Sequence, residues 1–379
     1  MEMTELERAA AAVPPRAVEL AGRFPVSGPV PVRSQAERAA VFADLGFGTQ
    51  FSDHVARATW TVDAGWGQRR LVGYGPHRLD PAASVLHYGQ EVFEGLKAYR
   101  HADGSIWTFR PQWNAARLQA SARRMALPEL PVEDFLASLV DLVRADADWV
   151  PAAAGAALYL RPFMYAAEPF LGVRAAHTVA YEVIASPCGP YFRGGFTPVS
   201  IWITRDFHRA GPGGTGAAKT AGNYAASLLP QQQAAARGFD QVCYLDVTNT
   251  YLEELGGMNV FVVGADGVVY TPALTGTILE GCTRNSIITM LRDQGRQVRE
   301  EHLSVEWLRQ GLASGALTEM FACGTAAVVT AIGRLAGDDF DTVIGDGQPG
   351  PVTEATYAAL TAVQLGQAPD PHGWMYRLA

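Results

Sequence analysis

Lysine is almost missing from this chain: of 30 lysine and arginine residues only Lys97 and Lys219 are lysines. A guanidinium keeps its proton in a protein whereas a desolvated ammonium can lose it, so these two side chains are the only basic groups able to act as amine nucleophiles. Clustered positive charge is missing too. The net charge is −8 with no basic stripe, which argues against binding to nucleic-acid phosphates and makes small molecules the expected partners. Four cysteines, Cys188, Cys243, Cys282 and Cys323, form no C-x-x-C pair, so neither a zinc site nor a disulfide framework is suggested, and no metal is expected. No apolar run approaches the length needed to span a bilayer. The first 25 residues carry Glu2, Glu5, Glu7 and Glu19 without a continuous apolar core, which weighs against a secretory signal or mitochondrial presequence; the expected compartment is the reducing cytoplasm.

What is present suits two domains, since 379 residues exceed one compact core. After an Ala/Pro/Arg-rich lead-in to about residue 45, alternation predicts strands over 56–62, 69–74 and 105–109. Helices are expected over 114–125, with Asn114 as N-cap, and over 132–147, with Pro131 at its start and Glu133 and Asp134 in the first turn. Apolar runs at 157–165 and 178–185 read as buried strands ahead of a Pro/Gly-rich break from Ser186 to Gly195. Strand 199–204, a Gly-rich loop, helix 224–237, strands 241–245, 259–263 and 268–271, helices 283–294 and 305–314 and strand 319–322 follow. This interleaving predicts an α/β or α+β chain, with a domain over 1–190, a linker over 191–198 and a second domain over 199–379.

Both lysines lie in stretches dense with glycine and aromatics. Gly213, Lys219 and Thr220 fit a phosphate-loop spacing, but Ala218 stands where the second glycine belongs, and the preceding strand ends well before Gly213. The other use of an isolated lysine is as an imine-forming amine with partners that hold a cofactor. Tyr224, five residues on and past a Gly-Asn turn, can return to the same site. Glu253 and Glu254 offer the acid that a protonated pyridine nitrogen requires. A cofactor phosphate needs amides at a helix start and a fixed cation; Leu279-Glu280-Gly281-Cys282-Thr283-Arg284 opens a helix, and Cys323-Gly324-Thr325-Ala326-Ala327 forms a second small turn.

Six ordered motifs run together: His87 to Arg100 (HYGQEVFEGLKAYR), Leu158 to Pro162 (LYLRP), Glu168 to Val173 (EPFLGV), Lys219 to Tyr224 (KTAGNY), Glu254 to Asn259 (ELGGMN) and Cys323 to Ala326 (CGTA). In these the chain resembles the branched-chain amino-acid aminotransferases, fold-type-IV pyridoxal-phosphate enzymes, from about Gly46 to Trp374, and more the bacterial branch. The resemblance implies an N-terminal α/β domain smaller than a C-terminal pseudo-barrel domain, a homodimer, pyridoxal 5'-phosphate as cofactor, and transfer of the amino group of leucine, isoleucine or valine to 2-oxoglutarate by ping-pong chemistry. It implies Lys219 as the cofactor-bearing lysine and proton shuttle, Tyr224 on the phenolic oxygen, Glu254 on the pyridine nitrogen, and Arg117 on the phosphate with Cys282, Thr283 and Thr325. Tyr88 and the amides of Thr325 and Ala326 would take the α-carboxylate. Phe47, Phe93, Tyr159, Leu171, Val173 and Tyr191 would surround the side chain, and Arg161 with Tyr159 would take the second carboxylate of glutamate.

By the same resemblance Lys97 is structural or indirect in its role, as are His54 and His87. Ala327 and Thr330 stand where mammalian-type relatives carry a C-x-x-C, so thiol regulation there is not expected. Gly257 replaces a threonine of some relatives, and Pro190 stiffens the segment before Tyr191. Two other readings stay open: a sister aminotransferase acting on an unusual branched or aromatic 2-oxo acid, and, more distantly, a nucleotide hydrolase or a non-catalytic binding protein.

Overall fold

A computed structural model describes residues 3–189 and 196–379. The chain divides into two compact units, Met1–Tyr191 with Ala218–Ala221 and Ala362–Ala379, and Phe192–Ala217 with Gly222–Thr361. In the first unit an antiparallel sheet runs in the order Met375–Arg377, Ile106–Phe109, Leu96–Arg100, Ala157–Ala166, Thr178–Cys188, His54–Thr61 and Gly65–Gly73, with Glu91–Phe93 also paired to Ala157–Ala166. Helix Val132–Ala145 packs on strands His54–Thr61 and Thr178–Cys188 and against helix Pro111–Arg124. It buries Phe135, Leu136, Leu139, Val140, Leu142 and Val143, the apolar stripe that a core-facing helix needs. Asp141 is buried on the same helix because its carboxylate accepts from the backbone of Gly22 and Phe24 at 2.7 and 2.8 Å, which ties the lead-in to the core.

Two expectations are corrected here. The first helix opens at Pro111, a residue suited to a first helical position, with Arg110 before it at φ 47°; Asn114 is therefore inside the helix, not its N-cap. The C-terminal segment 362–379 belongs with the first unit, because Met375–Arg377 pairs with Ile106–Phe109. Within these bounds the first unit is the larger of the two in residues.

The second unit is a mixed sheet in the order Leu252–Leu255, Gln241–Leu245, Val199–Ile203, Val328–Gly337, Leu317–Gly324, Asn259–Gly264, Val269–Pro272 and Val298–Glu301, with Phe340–Val343 paired to Val328–Gly337. Val199–Ile203 pairs in parallel with both of its neighbours, and Val269–Pro272 with Val298–Glu301. Helices Cys282–Asp293 and Val305–Ser314 pack on Leu317–Gly324. Strands Leu252–Leu255 and Val298–Glu301 carry paired glutamates, which hides them from alternation rules. Among the described residues no helix is long and apolar enough to cross a membrane.

Candidate active site

In the first unit, Lys219 is fixed by its backbone. Its amide donates to Ser121 Oγ at 2.9 Å, its carbonyl accepts from Phe93 N at 3.0 Å, and the neighbouring Thr220 hydroxyl donates to the Glu91 carbonyl at 2.7 Å. The side chain is thereby left to lie with Nζ 4.6 Å from the Phe93 ring centre. The Arg161 guanidinium stacks on the same ring at 4.8 Å and donates from Nη2 to Tyr159 Oη at 3.0 Å. Phe47 meets the Tyr159 ring edge-on at 5.0 Å. A Cβ on Gly95 would sit 2.0 Å from Tyr159 Oη, so any larger residue there would displace the Tyr159 ring. The structure thus brings Lys219, Phe93, Arg161, Tyr159 and Phe47 together.

Arg117 belongs to the same region through helix Pro111–Arg124. Asn114, Arg117 and Ser121 lie at i, i+3 and i+7 and share one face. Arg117 binds Glu94 with Nε at 2.7 Å and Nη2 at 2.9 Å, and Asn114 Nδ2 adds a bond to the same carboxylate at 2.7 Å. Glu94 is fully buried, so this bidentate pair is what allows a carboxylate there. Glu94 and Ser121 are contributors to which sequence reasoning gave no role; Glu94 stood inside a quoted motif, while Ser121 carried no signal.

Arg161 differs from Arg117 in its company. No carboxylate of a described residue lies within ion-pairing distance of it, and its Nε is buried without a hydrogen-bond partner. Burial raises the pKa of the nearby Glu91 carboxyl, while the positive charge of Arg161 opposes that shift.

Tyr88, Leu171 and Val173 form a separate group. Tyr88 Oη donates to the Leu171 carbonyl, and all three side chains are exposed. The loop that carries Leu171 and Val173 is braced by Glu168, which accepts from both terminal nitrogens of Arg174 at 3.0 and 2.7 Å and from His177 N at 2.7 Å. These bonds, Arg174 first, lower the Glu168 carboxyl to about 2. Tyr191 lies outside the described residues.

In the second unit, Glu254 Oε1 accepts from Leu279 N at 2.7 Å and pairs with Arg209 Nη1 at 2.8 Å, with both side chains 2% exposed. Arg209 Nη1 also donates to the Gly216 and Thr277 carbonyls at 3.1 and 3.0 Å. Sequence reasoning passed over Arg209, an arginine in an ordinary-looking loop. The Gly-rich loop allows close approach of backbones: a Cβ on Gly216 would sit 2.3 Å from the Thr277 carbonyl oxygen. Thr215 and Asn223 close the loop with two mutual bonds, at 2.7 and 2.8 Å. Tyr224 stands in the first turn of helix Ala221–Ala236, its ring 3.7 Å from where a Cβ on Gly257 would be. Cys282 and Thr283 open helix Cys282–Asp293, whose N-cap Gly281 has no side chain to offer. Thr325 and Ala326 lie, half-buried, in the turn joining Leu317–Gly324 to Val328–Gly337, where Val328 is held at φ 63°.

Residues 91–335 match the amino-transferase class IV family. The chain belongs to that family. It is 51% identical over 360 residues to the branched-chain-amino-acid aminotransferase of Mycolicibacterium smegmatis, covering 94% of this chain and 98% of the relative. It is 45% identical over 336 residues to branched-chain-amino-acid aminotransferase 2 of Bacillus subtilis, covering 88% and 92%. Among solved structures it is similar to the branched-chain amino acid aminotransferase of Escherichia coli, with a TM-score of 0.72 and 27% identity over 86% of this chain and 99% of that one. It is also similar to the branched-chain aminotransferase of the thermophilic archaeon Thermoproteus uzoniensis with norvaline, with a TM-score of 0.70 and 27% identity over 86% and 100%. The class IV amino-transferase is therefore an enzyme with the two-domain α/β architecture of fold type IV.

Proposed function

We propose that this class IV amino-transferase moves the amino group of leucine, isoleucine or valine to 2-oxoglutarate, using pyridoxal 5'-phosphate, as a cytoplasmic homodimer. The donor set fits that cofactor. One amine, Lys219, stands over an aromatic ring; one buried carboxylate, Glu254, has the cationic and N–H partners it needs away from water; and one helix opens at a glycine suited to a phosphate. Lys219 would carry the cofactor, Glu254 would meet its pyridine nitrogen, Tyr224 its phenolic oxygen, and Arg117, Cys282, Thr283 and Thr325 its phosphate. When bound, the cofactor supplies an electron sink and carries the amino group between the half-reactions.

The protein's own part is positioning and proton transfer. Lys219 Nζ, 4.6 Å from the Phe93 ring centre, would remove the substrate's α-proton and return it at the neighbouring carbon. Tyr88 and the amides of Thr325 and Ala326 would hold the α-carboxylate. Phe47, Phe93 and Tyr159 would line the side-chain pocket, with Leu171 and Val173 contributing from their braced loop.

Arg161 carries the dual-substrate reading. A cation without a carboxylate partner among the described residues, with a buried N–H left unpaired, would receive the second carboxylate of glutamate, while its aromatic neighbours suit a branched alkyl group. Arg161→Met is expected to raise KM for glutamate and 2-oxoglutarate at least tenfold, about 1.4 kcal/mol or more, yet spare the half-reaction with leucine under single turnover. Equal loss in both half-reactions would make Arg161 a structural residue and remove the basis of the dual-substrate reading.

A further inference from the structure

Strand Glu91–Phe93 carries an ionisable side chain that the proposed reaction leaves unused. Successive strand residues face opposite ways, and burial follows that alternation here. Val92, Leu160 and Met164 are 0% exposed on one face, whereas Glu91, Phe93, Tyr159, Arg161 and Phe163 are half-buried on the other. The register sets Phe93 opposite Phe163 and Glu91 opposite Tyr165, so Glu91 shares a face with the Phe93 ring and with the Arg161 guanidinium stacked on it at 4.8 Å. Both ends of this short strand are tied to the Lys219 segment: Phe93 N donates to the Lys219 carbonyl, and the Glu91 carbonyl accepts from the Thr220 hydroxyl. Glu91 is thereby held beside Lys219 and Arg161.

A second carboxylate on this face is already matched. Glu182, opposite Phe163 in the register, pairs with Arg57 at 3.2 Å and accepts from the Tyr165 hydroxyl at 3.1 Å. The charge that acts on the half-buried Glu91 carboxyl is instead that of Arg161, which favours the ionised form against the effect of burial. The interaction is mutual: an ionised Glu91 offsets part of the cost of a half-buried guanidinium that touches no carboxylate of a described residue. This compensation works in opposite directions for the two kinds of substrate side chain. A branched alkyl group brings no charge, so the guanidinium beside it relies on Glu91. The second carboxylate of glutamate brings its own charge to Arg161 and meets Glu91 as a like charge. We propose that Glu91 is a specificity-determining residue of this pocket, its carboxylate favouring a neutral side chain beside Arg161 and opposing an anionic one. The proposal rests on the reading of Arg161 as the receiver of that second carboxylate.

The probes are glutarate and 4-methylpentanoate, unreactive acids with and without a second carboxylate, titrated into the purified enzyme with its cofactor and followed by calorimetry. Glu91→Gln removes the charge at nearly constant shape. It should tighten glutarate at least about threefold while 4-methylpentanoate stays within about twofold or weakens. Glu91→Asp, which keeps the charge, should stay closer to the unaltered enzyme than Glu91→Gln does. In an Arg161→Met background the Glu91→Gln change should no longer favour either acid, since the cation through which it acts is gone. Should Glu91→Gln fail to fold, Glu91→Ser removes the same charge and decides. Glutarate affinity unchanged or weakened, both acids shifted alike as a merely structural role requires, or a shift that persists without Arg161 overturns the proposal. If Arg161→Met weakens glutarate and Glu91→Gln moves neither acid, only the role of Glu91 falls. If Arg161→Met leaves glutarate binding as it was, the reading of Arg161 falls and this proposal with it.

Discussion

Lys219 and Lys97 pose the sharpest question at the scale of single residues. Lys97 is 7% exposed, and desolvation pushes its amine below the usual lysine range, as it would for a catalytic amine. Its place is nonetheless in strand Leu96–Arg100, opposite Tyr159, whereas Lys219 sits beside Phe93 in the Gly-rich connection. Lys219→Ala is expected to abolish transamination and the absorbance of bound cofactor near 400 to 430 nm (an order-of-magnitude position), while Lys97→Met, similar in volume and free of charge, keeps appreciable activity. Arginine is the poorer replacement at 97, because a guanidinium cannot shed its charge inside the core. Loss of the absorbance in the Lys97 variant with retention in the Lys219 variant would reverse the assignment. Glu254→Gln should slow the chemical step by two or more orders of magnitude, about 3 kcal/mol of barrier, with less effect on cofactor retention; rapid kinetics on Glu253→Gln then checks the register, since that change should leave the step largely intact.

Helix Pro111–Arg124 and the turn before Val328 decide matters at the scale of elements. The helix delivers Asn114 and Arg117 to Glu94 and Ser121 to the Lys219 backbone. Glu94→Gln leaves a buried guanidinium without its countercharge, so a loss of about 3 to 5 kcal/mol in unfolding free energy is expected by chemical denaturation; a loss below about 1 kcal/mol would mean that water or another group compensates. Val328 at φ 63° is a β-branched residue in the left-handed region next to Thr325 and Ala326. Val328→Gly should relieve roughly 1 kcal/mol of that strain and raise the melting temperature. A fall instead would show that the Val328 side chain contributes more by packing than its backbone costs.

Across the whole molecule, acid and base act through different pairs. His54 Nδ1 lies 2.7 Å from Asp146 Oδ1, and this bond raises the imidazole above its ordinary value of 6.5. A group whose folded value is raised stabilises fully below its unfolded value and loses that contribution as pH climbs through the folded one. The stability gap between the native chain and His54→Phe is therefore expected to be widest below about pH 6.5 and to shrink in alkali, read from urea midpoints across pH. A gap independent of pH would mean that the imidazole acts by packing alone. The four cysteines are buried, and burial drives Cys243 up to about 12, so thiol chemistry has little purchase on the folded chain.

The apolar runs at 157–165 and 178–185 were legible in the sequence because a strand buried on both faces must be continuously apolar, and helix 132–145 because its stripe keeps helical period. The ordered motifs named the family. The strands around Glu253 and Glu254 were not legible, since glutamate in a buried strand makes sense only once Arg209, Leu279 and Thr277 arrive from elsewhere in the chain. Nor was the return of residues 375–377 to the first sheet, a pairing between strands more than 260 residues apart that no local pattern encodes. Composition and spacing alone singled out candidate groups; the tertiary structure decided which of them meet a partner carboxylate, as Arg117 meets Glu94, and which keep a buried atom without a hydrogen-bond partner, as Arg161 and Glu253 do. The physical reason is that the cost of a buried charge depends on partners distant in sequence, and only folding chooses those partners.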